Sequence, residues 1–169
     1  MVELASRERL QPSLLDRLTD NAPEHRRESL DQQALSMQQL RHAVLRDLAW
    51  LLNSTNLATT EDLAGAPLAT KSTVNFGIPG FAGVIGTTRN MLGLEAAIAE
   101  AIRNFEPRIR PGSLKVKLRP QAAGESNASI TFEIHGELWA QPVPQQLFLE
   151  TMIELETRMA VVTDSKVRG

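Results

Sequence analysis

Few residues in this chain are of the types and spacings that do chemistry. Glycoside hydrolysis needs two carboxylates flanking the scissile bond, one of them held protonated near neutral pH. Glu95, Glu100 and Glu106 are the acids available for such a pair. Glu95 and Glu100 stand five residues apart, so they do not share a helix face well. Glu106 has Arg108 beside it, which favours the charged carboxylate and spoils it as a general acid. His25, His42 and His135 are far apart, and His135-Gly136-Glu137 matches only half of a zinc-deaminase signature. The other half needs cysteine, and the chain has none. Disulfides, thiolate metal sites and cysteine nucleophiles are excluded with it. No serine occupies a recognisable nucleophile turn. Lys71-Ser72 lacks the glycines of a phosphate loop, and Gly77, Gly80, Gly83 and Gly86 recur every third residue, which is no dinucleotide fingerprint. The expectation is therefore no catalytic, cofactor-binding or metal-binding residue, and no enzyme.

The stretch that stands out is Asn104-Phe105-Glu106-Pro107-Arg108-Ile109, where a helical pattern gives way to an alternating one. Pro107 disfavours helical geometry at Glu106 and donates no backbone hydrogen bond, so a helix should stop there. That leaves Glu106 at a helix C-terminus, where the dipole disfavours a negative charge and Arg108 is the nearest partner. Two readings are open: a surface ion pair at a helix stop, worth roughly 0–1 kcal/mol, or a rigid charged corner offered to another protein.

The elements around this corner follow from periodicity. With 169 residues the chain has room for one domain with a real core. Its 42% hydrophobic content includes two Trp, five Phe and no Tyr, so that core is aliphatic. The net charge of −2 gives no global pull toward nucleic acid or an anionic membrane. No apolar run approaches the ~18 residues of a membrane span, and Met1–Arg9 carries no secretory pattern.

Residues 1–35 read as a polar extension in which Ser13-Leu14-Leu15-Asp16-Arg17-Leu18 forms a short helical peg. Ser13 and Asp16 can make a capping box there. The leucines either cover the chain's own core or dock into a partner. A first long helix is expected over about Ser36–Asn53, with Leu40, Val44, Leu48, Leu51 and Leu52 on one face. Arg46-Asp47 is either a solvated pair or an orienting one. Residues 57–89 are irregular, with Thr60–Leu63 as one helical turn. A second helix is expected over about Thr88–Phe105, with Met91, Leu94, Ile98, Ala101, Ile102 and Phe105 inward. Leu114–Leu118, Ser129–Leu138 and Leu147–Leu155 alternate as strands, with a hairpin loop over Gln121–Asn127. Thr163–Gly169 reads as a frayed end. The sum is an α+β domain over residues 36–162, two main helices on a small antiparallel sheet of about three strands.

Charge is uneven in this half. Arg103–Arg119 holds six basic residues and one acid, whereas Glu133–Glu156 holds five acids and no Lys or Arg. Cross-strand attraction within the sheet explains this, and so do one basic and one acidic edge that dock other chains. The basic segment lacks interleaved aromatics, which argues against nucleic acid.

Four segments in order carry a resemblance: Ser13–Leu18; Leu40–Leu48 leading into Leu51-Leu52-Asn53; Ser72-Thr73-Val74-Asn75-Phe76-Gly77-Ile78-Pro79; and Phe105-Glu106-Pro107-Arg108-Ile109. Together they resemble the TssE family of type VI secretion baseplate subunits, itself similar to a so-called lysozyme-like baseplate-wedge protein of contractile-tailed phages. The resemblance spans roughly residues 13–162, with Phe76 where Tyr is expected and Ile109 where Leu is commoner. It implies a structural subunit without activity, in the cytoplasm, in a baseplate assembled at the inner membrane. The implied partners are other baseplate subunits and sheath subunits, with no nucleic acid and no membrane insertion. The residues expected to bind partners are Glu106, Pro107, Arg108, Arg46, Asp47, Asn75, Leu14, Leu15 and Leu18. An open sheet edge, guarded by charge, is expected to start the sheath. The rival is a peptidoglycan-cleaving hydrolase, which requires a protonated Glu106 and a second carboxylate within reach.

Overall fold

A computed structural model of the chain describes residues 13–19, 37–80, 88–119, 129–139, 145–154, 157 and 159–164. Three helices, α1 (Leu14–Leu18), α2 (Met37–Leu52) and α3 (Thr88–Phe105), accompany four strands. These are β1 (Lys115–Leu118), β2 (Ser129–Leu138), β3 (Gln145–Glu154) and β4 (Ala160–Asp164). The strands form one antiparallel sheet in the order β1-β2-β3-β4. The expected α+β class holds, with one strand more than the alternation indicated. The extra strand takes in Thr163 and Asp164, which sequence reading left in a frayed end. Asp164 is held there because both its carboxylate oxygens accept from the Arg41 guanidinium of α2.

The two long helices bury the faces their spacing dictates. Leu40, Ala43, Val44, Leu48, Leu51 and Leu52 of α2 are buried, as are Leu94, Ile98, Ala99, Ala101 and Ile102 of α3. All of them but Ala43 form one cluster with Val116, Phe132, Ile134, Leu138, Leu147, Leu149, Ile153 and Ala160 on one side of the sheet. The period of 3.6 in the helices and of 2 in the strands thus converge on a single apolar layer. Each large core side chain contributes about 1.5–3 kcal/mol by leaving water.

The segment between α2 and α3 holds more local structure than the single helical turn the sequence indicated. Its first helical turn is a 3-10 turn at Leu57–Thr59, three residues before the one expected at Thr60–Leu63. Two more 3-10 turns follow, at Ala69–Lys71 and Thr73–Asn75. The chain then returns to the end of α2. Ile78 N–H donates to Ser54 C=O (2.9 Å) and Asn56 N–H donates to Ile78 C=O (3.0 Å), a parallel bridge of Thr55 with Ile78. Gly77 makes this approach possible, with φ of +123°, a region L side chains rarely adopt. Gly83, Gly86, most of the polar N-terminal extension, the loop after Arg119, Pro142, Pro144 and Leu155 lie outside the described residues.

Charge in the sheet is resolved internally. The acidic segment occupies β2 and β3, the two central strands, so the sheet has no acidic edge from that segment. Lys117 faces Glu133 across β1 and β2, Arg110 reaches Glu137 at 3.5 Å, and Arg119 reaches Glu150 at 2.5 Å. Cross-strand attraction accounts for these pairs, and of the two expected charged edges the acidic one does not form.

Candidate interaction site

α3 ends as Pro107 dictates. Glu106 N–H still donates to Ile102 C=O (2.9 Å), but the next residue has no donor, and the chain turns with Ile109 N–H on Glu106 C=O (3.2 Å). The corner then fastens to the end of β2, with Trp139 N–H on Arg108 C=O (2.7 Å) and Arg110 N–H on Glu137 C=O (2.9 Å). Ile109 lies against Gly136, where a Cβ would sit 2.9 Å from Ile109 Cγ2. A side chain at 136 would push the corner off the sheet.

The charged side chains of the corner point inward rather than out. Glu106 is 2% exposed. Its carboxylate takes a two-pronged contact from Arg108, Nε to Oε1 at 2.7 Å and Nη2 to Oε2 at 2.5 Å, and also accepts the Arg108 N–H (3.2 Å). Arg108 Nη2 reaches Asp47 Oδ2 of α2 at 2.5 Å. Asp47 in turn accepts from Arg46 Nε (2.9 Å), and Arg46 Nη1 donates to Asp16 Oδ1 of α1 at 2.6 Å. Five charges of alternating sign, Asp16–Arg46–Asp47–Arg108–Glu106, therefore join α1, α2 and the corner. Both sequence readings of this stretch need correcting. Glu106-Arg108 is neither a solvated surface pair nor an exposed charged corner; it is an interior brace from which Pro107 projects into solvent.

The electrostatics follow from this geometry. Burial works against the Arg108 charge, but the carboxylates of Glu106 and Asp47 outweigh it and hold the guanidinium above its ordinary range. Asp47 and Asp16 do the same for Arg46. Asp16 is partly desolvated, which raises its pKa, yet Arg46 and Ser13 together hold it below the ordinary carboxylate value. The network is incompletely satisfied, since Arg108 Nη1 is buried without a hydrogen-bond partner among the described residues, whereas Arg46 Nη2 lies 2.9 Å from Asp47 Oδ1.

The remaining expected residues separate into two groups. Asn75 is 8% exposed and spent internally, its Oδ1 accepting Ala58 N–H (2.9 Å) and its Nδ2 donating to Thr70 C=O (2.8 Å). It braces the irregular segment. The next residue, Phe76, packs edge-on against Phe105 at 5.3 Å and supports the end of α3. Leu14, Leu15 and Leu18 are exposed at 71%, 42% and 74%, so the alternative in which they cover the chain's own core is excluded. Ser13 caps α1 with its hydroxyl accepting Asp16 N–H at 3.3 Å, as expected. Trp50, half exposed, lies under the Arg46 guanidinium at 5.2 Å and adds to the open apolar surface.

Besides Arg41–Asp164 and Arg108–Asp47, sequence reasoning missed further contacts between residues distant in the chain. Asp16 was legible as a cap but not as the partner of Arg46. Asn53, read as a helix stop, also seals β4: its Oδ1 accepts Ala160 N–H and its Nδ2 donates to Ala160 C=O, both at 2.9 Å. Glu95, weighed as an acid for catalysis, accepts Leu118 N–H of β1 at 2.6 Å.

The Asp16–Arg46 contact carries a pH prediction. Its folded-state pKa is lowered, so its contribution is present above the ordinary Asp value and is lost as pH falls through the folded value. α1 is expected to stay docked at neutral pH and to release below about pH 4. Trp50 fluorescence, sensitive to the stacked Arg46, should change in that window, and Asp16→Asn should abolish the change.

No helix among the described residues is long and apolar enough to cross a membrane. A comparison with curated proteins finds no match. The family model for baseplate wedge protein gp25 matches residues 38–143, from the start of α2 to a point short of β3, and so takes in the Arg46-Asp47 pair, the Asn75–Ile78 return and the Glu106-Pro107-Arg108 corner. With more than half of its length matched, this chain belongs to the baseplate wedge protein gp25 family.

Proposed function

We propose that the chain is a non-enzymatic subunit of a type VI secretion baseplate, that it docks to neighbouring baseplate subunits, and that an edge of its sheet starts assembly of the contractile sheath. The baseplate role follows from family membership. The observation that carries the finer reading is α1: three leucines face solvent on a helix held in place by Asp16–Arg46. A fixed apolar peg of this kind gains about 0.8 kcal/mol per methylene it buries in a partner. A non-catalytic role is supported by the engagement of Glu106, whose two oxygens are both occupied by Arg108. The setting is the cytoplasmic face of the inner membrane, where such a baseplate is built.

The test is co-purification of baseplate and sheath subunits with the wild type and with Leu14→Asp/Leu18→Asp. These positions are exposed, so the variant should fold normally by circular dichroism. Loss of baseplate partners from the folded variant is the expected result; full retention would sink the peg. Arg108→Glu is the poorer probe, since it sets a third carboxylate against Glu106 and Asp47 and should unfold the corner.

A further inference from the structure

Resting on the reading that a sheet edge receives a strand, we infer that β1 is the receiving edge, that Glu95 is the latch that closes it, and that the incoming segment carries carboxylates at alternate positions. The register decides which backbone groups face outward. Arg119 N–H donates to Thr131 C=O (2.8 Å), so Arg119, Lys117 and Lys115 form the bonded pairs with β2. Val116 and Leu118 therefore turn their N–H and C=O groups away from the sheet. Glu95 Oε1 occupies the Leu118 N–H at 2.6 Å, reaching across from α3. The outward groups of Val116 have no partner among the described residues.

The opposite edge is closed more firmly. Glu154 N–H donates to Met159 C=O (3.0 Å), which places Ala160, Val162 and Asp164 in the outward register of β4. Asn53 takes both outward groups of Ala160 with one amide, as a neighbouring strand would. Arg41 grips the Asp164 carboxylate and also donates to Gln146 C=O (3.1 Å). An arriving strand must displace Asn53 from both outward backbone groups of Ala160 at β4, but only Glu95 from the single Leu118 N–H at β1. A glutamate on a flexible stem is also the cheaper group to return to water, because it stays charged and solvated there.

The chemistry of the occupant comes from β1 itself. Lys115 and Lys117 are exposed on the face away from the core, while Val116 is buried beneath. A strand added beside β1 places every second side chain next to these lysines, where acidic residues are attracted and basic ones repelled. Its backbone carbonyl takes over Leu118 N–H from Glu95. The latch thus guards an otherwise sticky edge until a backbone acceptor replaces it.

Two synthetic ten-residue peptides test this, one alternating Glu with Val and one alternating Lys with Val, read by fluorescence anisotropy on the full chain. The Glu peptide should bind and the Lys peptide should not. Glu95→Ala removes the competitor and should tighten binding of the Glu peptide roughly three- to tenfold, with faster hydrogen exchange at the Leu118 amide. Lys115→Glu/Lys117→Glu should reverse the peptide preference, and Asn53→Ala should leave Glu-peptide affinity unchanged. Tightening by Asn53→Ala instead of Glu95→Ala would move the edge to β4 and overturn the inference. Failure of the Glu peptide to bind wild type and Glu95→Ala alike would overturn it too. Sheath subunits that still co-purify in that case would leave the baseplate reading standing, so the two failures are distinguishable.

Discussion

Glu106→Ala is expected to lower the stability of the fold by about 3 kcal/mol, although the residue lies at a helix end rather than in the apolar core. Removing one member of a buried charge pair leaves the other desolvated and unpaired, and such losses run to roughly 3–5 kcal/mol. The low end applies because Arg108 keeps Asp47 and 23% of its side-chain exposure. For a chain of this length the loss corresponds to a fall in Tm of roughly 6–12 °C. Glu106→Gln, which keeps the shape and one acceptor, should lose about half as much. The two-pronged contact also predicts strong coupling: in a double-mutant cycle with Arg108→Met, the losses should fall short of additivity by more than about 1 kcal/mol. A loss under about 1 kcal/mol for Glu106→Ala would mean that the pair behaves as an exposed one. The network would then be ornament rather than brace.

The second large effect is expected at Gly77. An alanine Cβ there would lie 2.3 Å from Ser54 O and 2.7 Å from Ser54 C, backbone atoms that cannot rotate away. The substitution also meets the positive φ, a strain of about 1–3 kcal/mol by itself. Relief requires parting Ile78 from Ser54 and Asn56, which gives up two backbone hydrogen bonds and draws Ile78, 2% exposed, toward solvent. The combined loss should reach about 3 kcal/mol or more. Hydrogen exchange should show the Asn56 and Ile78 amides opening well before the strands of the sheet. Uniform loss of protection across the whole chain would instead mean that this return is part of the global folding unit.

These two positions illustrate a general split in the molecule. The return at Gly77 supports Phe76, and Phe76 packs on Phe105 one residue before the brace. Damage at Gly77 should therefore reach the corner through an apolar contact. The brace reaches α1 through Arg46, so the exposed leucines depend on charges more than ten residues away in sequence.

Local chemistry was legible without coordinates. Leu40 to Leu52 and Leu94 to Ile102 announce their buried faces because a helix repeats every 3.6 residues, and the alternation of Val116, Phe132, Ile134, Leu147 and Leu149 does so for strands. Pro107 ends its helix by the geometry of its own ring, and Ser13 caps α1 by reach alone. The tertiary structure decided what those elements close around. That Glu106 is buried against Arg108, whose guanidinium reaches Asp47, that Asn75 bonds Thr70 and Ala58, and that Glu95 seals Leu118 depends on segments brought together by packing of the apolar layer. β4 was hidden because Ala160-Val161-Val162 is an unbroken apolar run that shows no alternation, and what fixes its end is Arg41, a residue 123 positions earlier. Periodicity and ring geometry are carried by neighbours in the chain, whereas burial and charge pairing are carried by neighbours in space.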